Sequence, residues 1–177
     1  MKSLQREELT RLLRAARAHS KRDHLLILTA YSHGLRASEV INLTDQNIRD
    51  GFLTVQRLKG SMRTCQPLMR SADPLYDESR LEKMTGRLFP VSRTTFWRIV
   101  QRAGRAAGLP QHLLHPHCLK HSIGMHTIRT AGIENVRQYL GHRSMASTGA
   151  YLRVDDDAAS KAIAAAMSNQ AFAVGGL

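Results

Sequence analysis

The segment 115–151 constrains this chain more than any other, because it sets several polar side chains at fixed helical spacing. Pro116 favours an extended residue before it and suits the first turn of a helix after it. His117, Lys120 and His121 are then spaced i, i+3 and i+4, which places them on one helical face. The segment therefore predicts a helix that begins at Pro116 and presents a cluster of nitrogen donors.

A second helical pattern ends in a corner that carries another histidine. Apolar residues recur at helical spacing up to Leu140, and Gly141 is a suitable residue for ending the helix. His142 is then at the corner, Ser144 can cap the next helix, and Tyr151 lies near the end of that helix. Each feature alone is common as a helix cap or a packing residue. Their order and density indicate a cluster of donors suited to binding a phosphate, followed by a hydroxyl that could act as a nucleophile.

The charge of the chain predicts a polyanionic partner. The formal net charge is +12 at pH 7, and the isoelectric point is about 10.7. Because the basic residues are spread through the sequence, they indicate a basic face and not a disordered tail. Nucleic acid is a better partner than membrane lipid, since no stretch approaches a membrane-spanning length. The arginines that we expect to contact DNA are Arg57, Arg63, Arg93, Arg98 and Arg143.

Length and cysteine content bound the class of protein. A chain of 177 residues fits one domain with a substantial core. Cys65 and Cys118 are far apart and form no CxxC motif, so we interpret both as free thiols in a reducing compartment. The residues at the start contain no apolar core region typical of a signal peptide. We therefore expect a cytoplasmic protein associated with DNA.

The rest of the pattern predicts mainly helices with one small antiparallel β-sheet, an α+β fold. Ser3 can cap a first helix, and Gly34 makes a sharp turn after a buried helix. In the helix capped by Ser92, the apolar stripe that includes Trp97 is expected to lie in the core. The predicted segments are strands 52–55 and 65–68, joined by a hairpin, and helices 25–32, 35–43, 77–84, 93–107 and 158–167.

Read together, six residues resemble the motifs of the tyrosine recombinase (phage integrase) family. Gly34-Leu35-Arg36 resembles its first-arginine box, and Lys59 before Gly60 resembles its hairpin lysine. The run 117–121 resembles its His-x-x-Arg box, and 140–142 with Tyr151 resembles its final histidine and nucleophile. The resemblance covers residues 25 to 153 and implies the catalytic-domain fold of that family. It implies the catalytic residues Arg36, Lys59, His117, Lys120, His142 and Tyr151, with Glu39 and His121 in support.

The resemblance also implies a chemistry. Tyr151 attacks a DNA phosphodiester and gives a 3′-phosphotyrosyl link, while Lys59 protonates the leaving 5′-oxygen. Arg36 and Lys120 hold the non-bridging oxygens. No metal, ATP or other cofactor is expected. Although His117 and His121 have a spacing that can chelate zinc, no carboxylate lies nearby to support a metal site.

Two departures from the family pattern leave alternatives open. Lys120 stands where the family has its second arginine, and it offers a point charge in place of a planar fork. Three explanations compete: a natural variant in which lysine takes the role of the arginine, an engineered or natural loss of activity, or a register in which another arginine substitutes. We favour the natural variant. Only about two dozen residues precede Leu25, too few for the core-binding domain that such integrases commonly carry. We therefore expect residues 1–177 to be a single catalytic domain, either excised or resembling the short fimbrial-switch inverters.

The leading functional prediction is a site-specific recombinase of integrase or invertase type. Its expected partner is double-stranded DNA with a specific recombination site, bound by a homo-oligomer, a tetramer with exchange of C-terminal helices. The Ala-rich helix 158–167 is either the exchanged element or a helix packed on its own domain. No membrane partner is expected. The alternatives are a DNA-binding regulator of the same fold that no longer cuts, and a DNA-relaxing enzyme like the type IB topoisomerases.

Overall fold

The computed structural model describes residues 2–57, 62–144 and 146–149. Three predictions lie outside these residues: Lys59 at the hairpin tip, Tyr151, and the helix at 158–167. No helix in the described ranges is long and apolar enough to cross a lipid bilayer.

The described residues form mainly helices and one small sheet, as predicted. The α-helices are α1 (Arg6–His19), α2 (Lys21–Ser32), α3 (Ala37–Val40), α4 (Arg93–Ala106), α5 (Pro116–Ala131), α6 (Ile133–Tyr139) and α7 (Ala146–Gly149). The strands are β1 (Ile48–Arg49), β2 (Phe52–Val55) and β3 (Thr64–Pro67). Short 3₁₀ helices cover Asp45–Asn47, Ser79–Lys83 and Gln111–Leu113, so the helix predicted at 77–84 is a 3₁₀ helix.

The core is built around α2, which is buried on nearly every side. Leu26, Ile27 and Leu28 are at most 1% exposed, because α1 and α5 pack against this helix. Phe96 on α4 is also fully buried and closes the core from the side of α1. The buried helix predicted from the continuous apolar run is therefore confirmed.

The sheet is antiparallel, with the strand order β1-β2-β3. Leu53 pairs with Gln66 and Val55 pairs with Thr64, and all four side chains are buried. Two polar residues of β3 therefore point into the protein, on the face where β3 meets α6. A buried polar side chain requires a hydrogen-bonding partner, and those of Thr64 and Gln66 are found at the candidate site.

The structure confirms one of the predicted serine caps and corrects another. The Ser92 hydroxyl accepts the backbone N–H of Thr95 at 3.0 Å, as its predicted capping role requires. Ser3, in contrast, is not a cap, and α1 begins after Gln5, whose N–H donates to the Glu8 carboxylate at 2.8 Å. The backbone N–H of the buried Leu4 donates to a serine on α5. This contact fixes the chain before the helix can start.

Two glycine turns bring distant segments together. Gly34 has a φ of +57°, and a Cβ at this position would collide with the Leu140 side chain. Gly141 has a φ of +69°, and a Cβ there would lie 2.9 Å from the Met62 carbonyl oxygen. Because only glycine combines this backbone conformation with such close approach, the two turns fix the loop before Arg36 against the corner at His142.

Candidate active site

The turn at Gly34 delivers Arg36 to the start of α3. The Nη1 atom of Arg36 lies 2.8 Å from Glu39 Oε1, and the Arg36 backbone N–H donates to Glu39 Oε2 at 2.8 Å. The Glu39 carboxylate is buried, whereas a quarter of the Arg36 side chain remains exposed. Glu39 therefore orients a guanidinium that stands at the surface of the protein.

Helix α5 begins at Pro116 as predicted, with His115 as its cap. The His115 Nδ1 atom accepts the backbone N–H of Cys118 at 3.2 Å. His117 is exposed on the first turn, and its ring packs edge-on against that of His121 at a centroid distance of 4.3 Å. Burial, and then the positive charges of neighbouring groups, lower the pKa of His121 to about 4.

Lys120 projects from the same helix into the protein. Lys120 is only 2% exposed, and its Nζ atom donates to the Leu140 carbonyl oxygen at 3.2 Å. Burial, and then the charge of Arg57, lower the pKa of Lys120 to about 7, while Glu39 acts in the opposite direction. The ammonium group therefore titrates near neutral pH, which an arginine in this position would not do.

His142 occupies the corner after α6, as the Gly141 turn predicted. Its Nδ1 atom lies 3.0 Å from the Thr148 hydroxyl oxygen on α7. Burial, and then the charges of Lys120 and Arg36, lower the pKa of His142 to about 4. The imidazole is therefore neutral at pH 7. In the tautomer whose Nδ1 accepts from Thr148, the Nε2–H group is a hydrogen-bond donor.

Arg57 corrects a prediction, because it does not lie on the DNA-binding surface. Its side chain has no exposed area. It donates five hydrogen bonds within the protein, to the carbonyl oxygens of His33, Gly34 and Tyr139, the Thr64 hydroxyl and Glu39 Oε2. A guanidinium has five N–H donors, so none remains for a DNA phosphate. The short-range sequence pattern could not reveal this, because the acceptors come from four separate segments.

The other arginines predicted to contact DNA are exposed: Arg63, Arg93, Arg98 and Arg143. Their exposure permits a contact, which stays a prediction. Arg93 also lines a cleft of about 820 Å³ beside the site, together with Arg36, Ser38, Trp97, His115 and His117.

Trp97 was predicted to lie in the core, and this was wrong, because its side chain is 46% exposed. Phe96, Val100 and Ala103 already fill the buried face of α4. Helical spacing alone does not explain this, because Gln101 and Gly104, four and seven positions after Trp97, are buried. Trp97 lies in the first turns of α4, where it lines the cleft beside Arg36 and His117.

The hairpin is attached to the His142 corner on both sides of its tip. Before the tip, Arg57 Nη2 donates to the Tyr139 carbonyl oxygen at 3.2 Å. After it, the Met62 backbone N–H donates to the Gly141 carbonyl oxygen at 3.1 Å. Lys59 itself lies outside the described residues, as does Tyr151, which follows the last residue of α7 by two positions.

These groups suit an anion. Arg36, Arg57 and Lys120 provide three cations, and Glu39 is the only carboxylate that contacts Arg36 or Arg57 through a described ion pair. With Lys120 protonated, the four groups carry a surplus of two positive charges. Arg57 and Lys120 are buried, so their charges are costly without a counter-charge, and an approaching phosphate would supply one.

Comparison with known proteins identifies the family of the chain. The family model described as "Phage integrase family" matches residues 2–158. Tyrosine recombinase XerA of Pyrococcus furiosus is 38% identical over 171 residues, which cover 86% of this chain and 57% of XerA. The type 1 fimbriae regulatory protein FimB of Escherichia coli K12 is 31% identical, over 82% of this chain and 80% of FimB.

Solved structures agree on the fold. The catalytic domain of bacteriophage HP1 integrase superposes with a TM-score of 0.66 at 27% identity, covering 86% of this chain and 87% of that domain. A lambda integrase dimer bound to a COC′ core site superposes with a TM-score of 0.69 at 19% identity, over 85% of this chain and 47% of the integrase. The resemblance predicted from the sequence motifs is confirmed: the chain belongs to the phage integrase family and has the catalytic-domain fold of the tyrosine recombinases.

Proposed function

We propose that residues 1–177 act as the catalytic domain of a site-specific DNA recombinase, which cleaves and rejoins DNA through a 3′-phosphotyrosyl intermediate. The observation that carries the proposal is the convergence of Arg36, Lys120 and His142. The Lys120 ammonium donates to the carbonyl oxygen of Leu140, two residues before His142, and the Gly34 turn before Arg36 packs against the Leu140 side chain. The three groups come from three separate elements of the fold, α3, α5 and the corner after α6.

The charge of this cluster suits the transition state better than the substrate. A phosphodiester carries one negative charge, and the five-coordinate phosphorus formed during attack carries two. The positive charges of Arg36, Arg57 and Lys120, which outnumber the Glu39 carboxylate among the described ion pairs, favour the more highly charged state. Preorganised charges that favour the transition state over the ground state are the main source of catalysis at such sites.

The roles of the other groups follow from the chemistry of the reaction. The Tyr151 oxygen forms a bond to phosphorus as the bond to the 5′-oxygen breaks, and the Lys59 ammonium gives its proton to the leaving oxygen. His117 assists as an acid, a base or a phosphate donor. In support, both ends of the hairpin segment that carries Lys59 contact the His142 corner. Thr148, which contacts His142, is three residues before Tyr151.

The proposal needs neither a metal nor ATP. The cations of the cluster supply the charge that a metal would supply, and the phosphotyrosyl bond retains the energy of the broken phosphodiester. We therefore expect strand cleavage to continue in EDTA and without nucleotide.

Lys120 takes the place of the second arginine in this proposal. Arg57 is the other arginine of the cluster, but all five of its donors are bound within the protein, so it is unsuited to replace Lys120 at the phosphate. The Lys120 ammonium makes one described hydrogen bond, to the Leu140 carbonyl oxygen. Because an ammonium has three donors, it has capacity for a phosphate oxygen.

We further propose that the protein works in the cytoplasm as a homo-oligomer on DNA, a tetramer in which C-terminal segments are exchanged. An apolar groove of about 600 Å³ between α1, α2, α5 and α6 supports this, with Leu9, Tyr31, Ile123, Val136 and Tyr139 in its lining. The Ala-rich segment 158–167 is the proposed occupant. The lambda integrase structure, a dimer on its core site, is consistent with assembly on DNA.

The decisive experiment traps the covalent complex. A nicked suicide substrate that carries the recombination site should accumulate a protein–DNA adduct with the wild-type chain and none with Tyr151→Phe. If both proteins bind the DNA and neither forms the adduct, the non-cleaving regulator is correct. If the wild type relaxes supercoiled plasmid as a monomer without site preference, the topoisomerase-like alternative replaces the recombinase.

A further inference from the structure

We propose that Arg57 is a positioning residue of the active site, whose guanidinium sets the relative placement of the Arg36 loop, the hairpin and the His142 corner. The proposal rests on the proposed recombinase function and adds a residue to it. Arg57 is not itself in contact with DNA, and it acts through the segments it joins.

On one side Arg57 holds the segment that leads to Arg36. Its Nη2 atom donates to the His33 carbonyl oxygen at 2.8 Å, and its Nη1 atom donates to that of Gly34 at 3.0 Å. The same Nη1 atom lies 3.3 Å from Glu39 Oε2. Glu39 thus shares its carboxylate between Arg57 and Arg36, and the position of one guanidinium depends on the other.

On the other side Arg57 holds the end of α6. The last carbonyl groups of a helix have no partner within the helix, and here three consecutive ones are bound from outside. The Tyr139 oxygen accepts from Arg57 and from Gln66 Nε2, the latter at 2.6 Å. The next two carbonyls, at 140 and 141, accept from Lys120 Nζ and from the Met62 backbone N–H. His142 follows directly, so these contacts fix its position.

The third segment is the hairpin. The Arg57 Nε–H group donates to the Thr64 hydroxyl at 3.0 Å, across the base of the tip that carries Lys59. One planar group therefore sets the distances among three segments, each of which bears a proposed catalytic residue. A lysine could not do this, because it has three donors in place of five and no rigid fork.

The charge of Arg57 adds an effect that a purely structural contact would lack. Among the neighbouring charges, that of Arg57 lowers the pKa of Lys120 the most, after burial itself. The Arg57 charge also lowers the pKa of His142. Within residues 2–57, 62–144 and 146–149, the charged and titratable groups around the Lys120 ammonium are Arg36, Glu39, Arg57, His121 and His142. Loss of the Arg57 charge should therefore raise the pKa of Lys120 while the other four groups remain.

The test compares Arg57→Lys, Arg57→Gln and Thr64→Val with the exposed control Arg98→Gln, each checked for folding by thermal melting. At saturating DNA, Arg57→Lys should form the suicide-substrate adduct about a hundredfold more slowly, the loss typical of a misplacement of about 1 Å. Thr64→Val keeps the shape of the side chain and removes one acceptor, so the adduct should form more slowly, but less so than in Arg57→Lys.

DNA affinity separates a positioning role from a phosphate contact. Each lost phosphate contact reduces the slope of log affinity against log salt by about 0.9. We expect Arg98→Gln to reduce the slope in this way, and Arg57→Lys, Arg57→Gln and Thr64→Val to leave it unchanged. A slope reduced by Arg57→Gln as much as by Arg98→Gln would overturn the proposal. So would wild-type adduct rates in folded Arg57→Lys and Thr64→Val.

A measurement without DNA keeps this proposal distinct from the proposed function. In protein labelled with ¹³C at lysine Cε, the NMR titration of Lys120 should move to higher pH in Arg57→Gln and stay in place in Thr64→Val, which keeps the Arg57 charge. An unmoved titration in folded Arg57→Gln would refute the influence of Arg57 on the site. If the wild type forms no adduct, the recombinase proposal fails, and the titration still decides whether Arg57 acts on Lys120.

Discussion

Replacement of Lys120 by arginine should change how strand cleavage depends on pH. The Lys120 ammonium is buried, and its pKa is about 7 because burial and the charge of Arg57 both oppose protonation. An arginine stays charged throughout the accessible pH range. The wild-type site should therefore lose a phosphate-binding charge as the pH rises above 7, and the Lys120→Arg site should keep it.

The size of the effect follows from the titration. At pH 6 about nine-tenths of Lys120 is charged, at pH 8 about a tenth, and at pH 9 about a hundredth. If the charged form carries the activity, the ratio of the Lys120→Arg rate to the wild-type rate should rise about a hundredfold between pH 6 and pH 9. Any pH-independent cost of fitting the larger side chain cancels in this change. The pKa values of His121 and His142, about 4, lie below the window.

The assay is adduct formation on the suicide substrate at DNA concentrations below the dissociation constant. Under these conditions the pH dependence reports the pKa of the free enzyme. Bound phosphate stabilises the ammonium, so at saturating DNA the wild-type decline should begin at higher pH. A ratio that stays constant from pH 6 to pH 9 would refute the reasoning.

Three further predictions concern stability and binding. Because the pKa of Lys120 is lower in the folded than in the unfolded chain, the unfolded chain binds more protons between pH 7 and 10.5. The wild-type free energy of unfolding should therefore rise with pH by roughly 1.4 kcal/mol per unit in that window, relative to Lys120→Met, as urea titrations would detect. Gly141→Ala should destabilise by about 2 kcal/mol more than the control Gly86→Ala, which has a similar φ and open space, when both are measured by urea unfolding. Trp97 is the single tryptophan and lines the cleft, so its fluorescence should change when DNA binds, whereas Trp97→Phe should bind DNA without that signal.

Much of the fold followed from local rules. Pro116 and Ser92 mark helix starts because each satisfies or removes an unpaired N–H group at the first turn. Gly34 and Gly141 mark turns because their backbone conformation has a positive φ. Such effects act within a few residues, so they are legible in the sequence. Ser3 shows the limit: the helix begins after Gln5, and the preceding Leu4 N–H donates to Ser122 on α5, 118 residues away, a contact that the local sequence does not reveal.

The sequence by itself determined which chemical groups the protein contains, their order along the chain, and the local turns and helices on which they lie. It was sufficient to predict the fold class and the family. Only the tertiary structure decided which cations face solvent and which are enclosed. Arg57 and Lys120 both appear in the sequence as basic residues near family motifs, yet both are buried. Their burial depends on acceptors brought together from distant segments, and the proton affinity of Lys120 depends on the desolvation and neighbouring charge that this assembly creates.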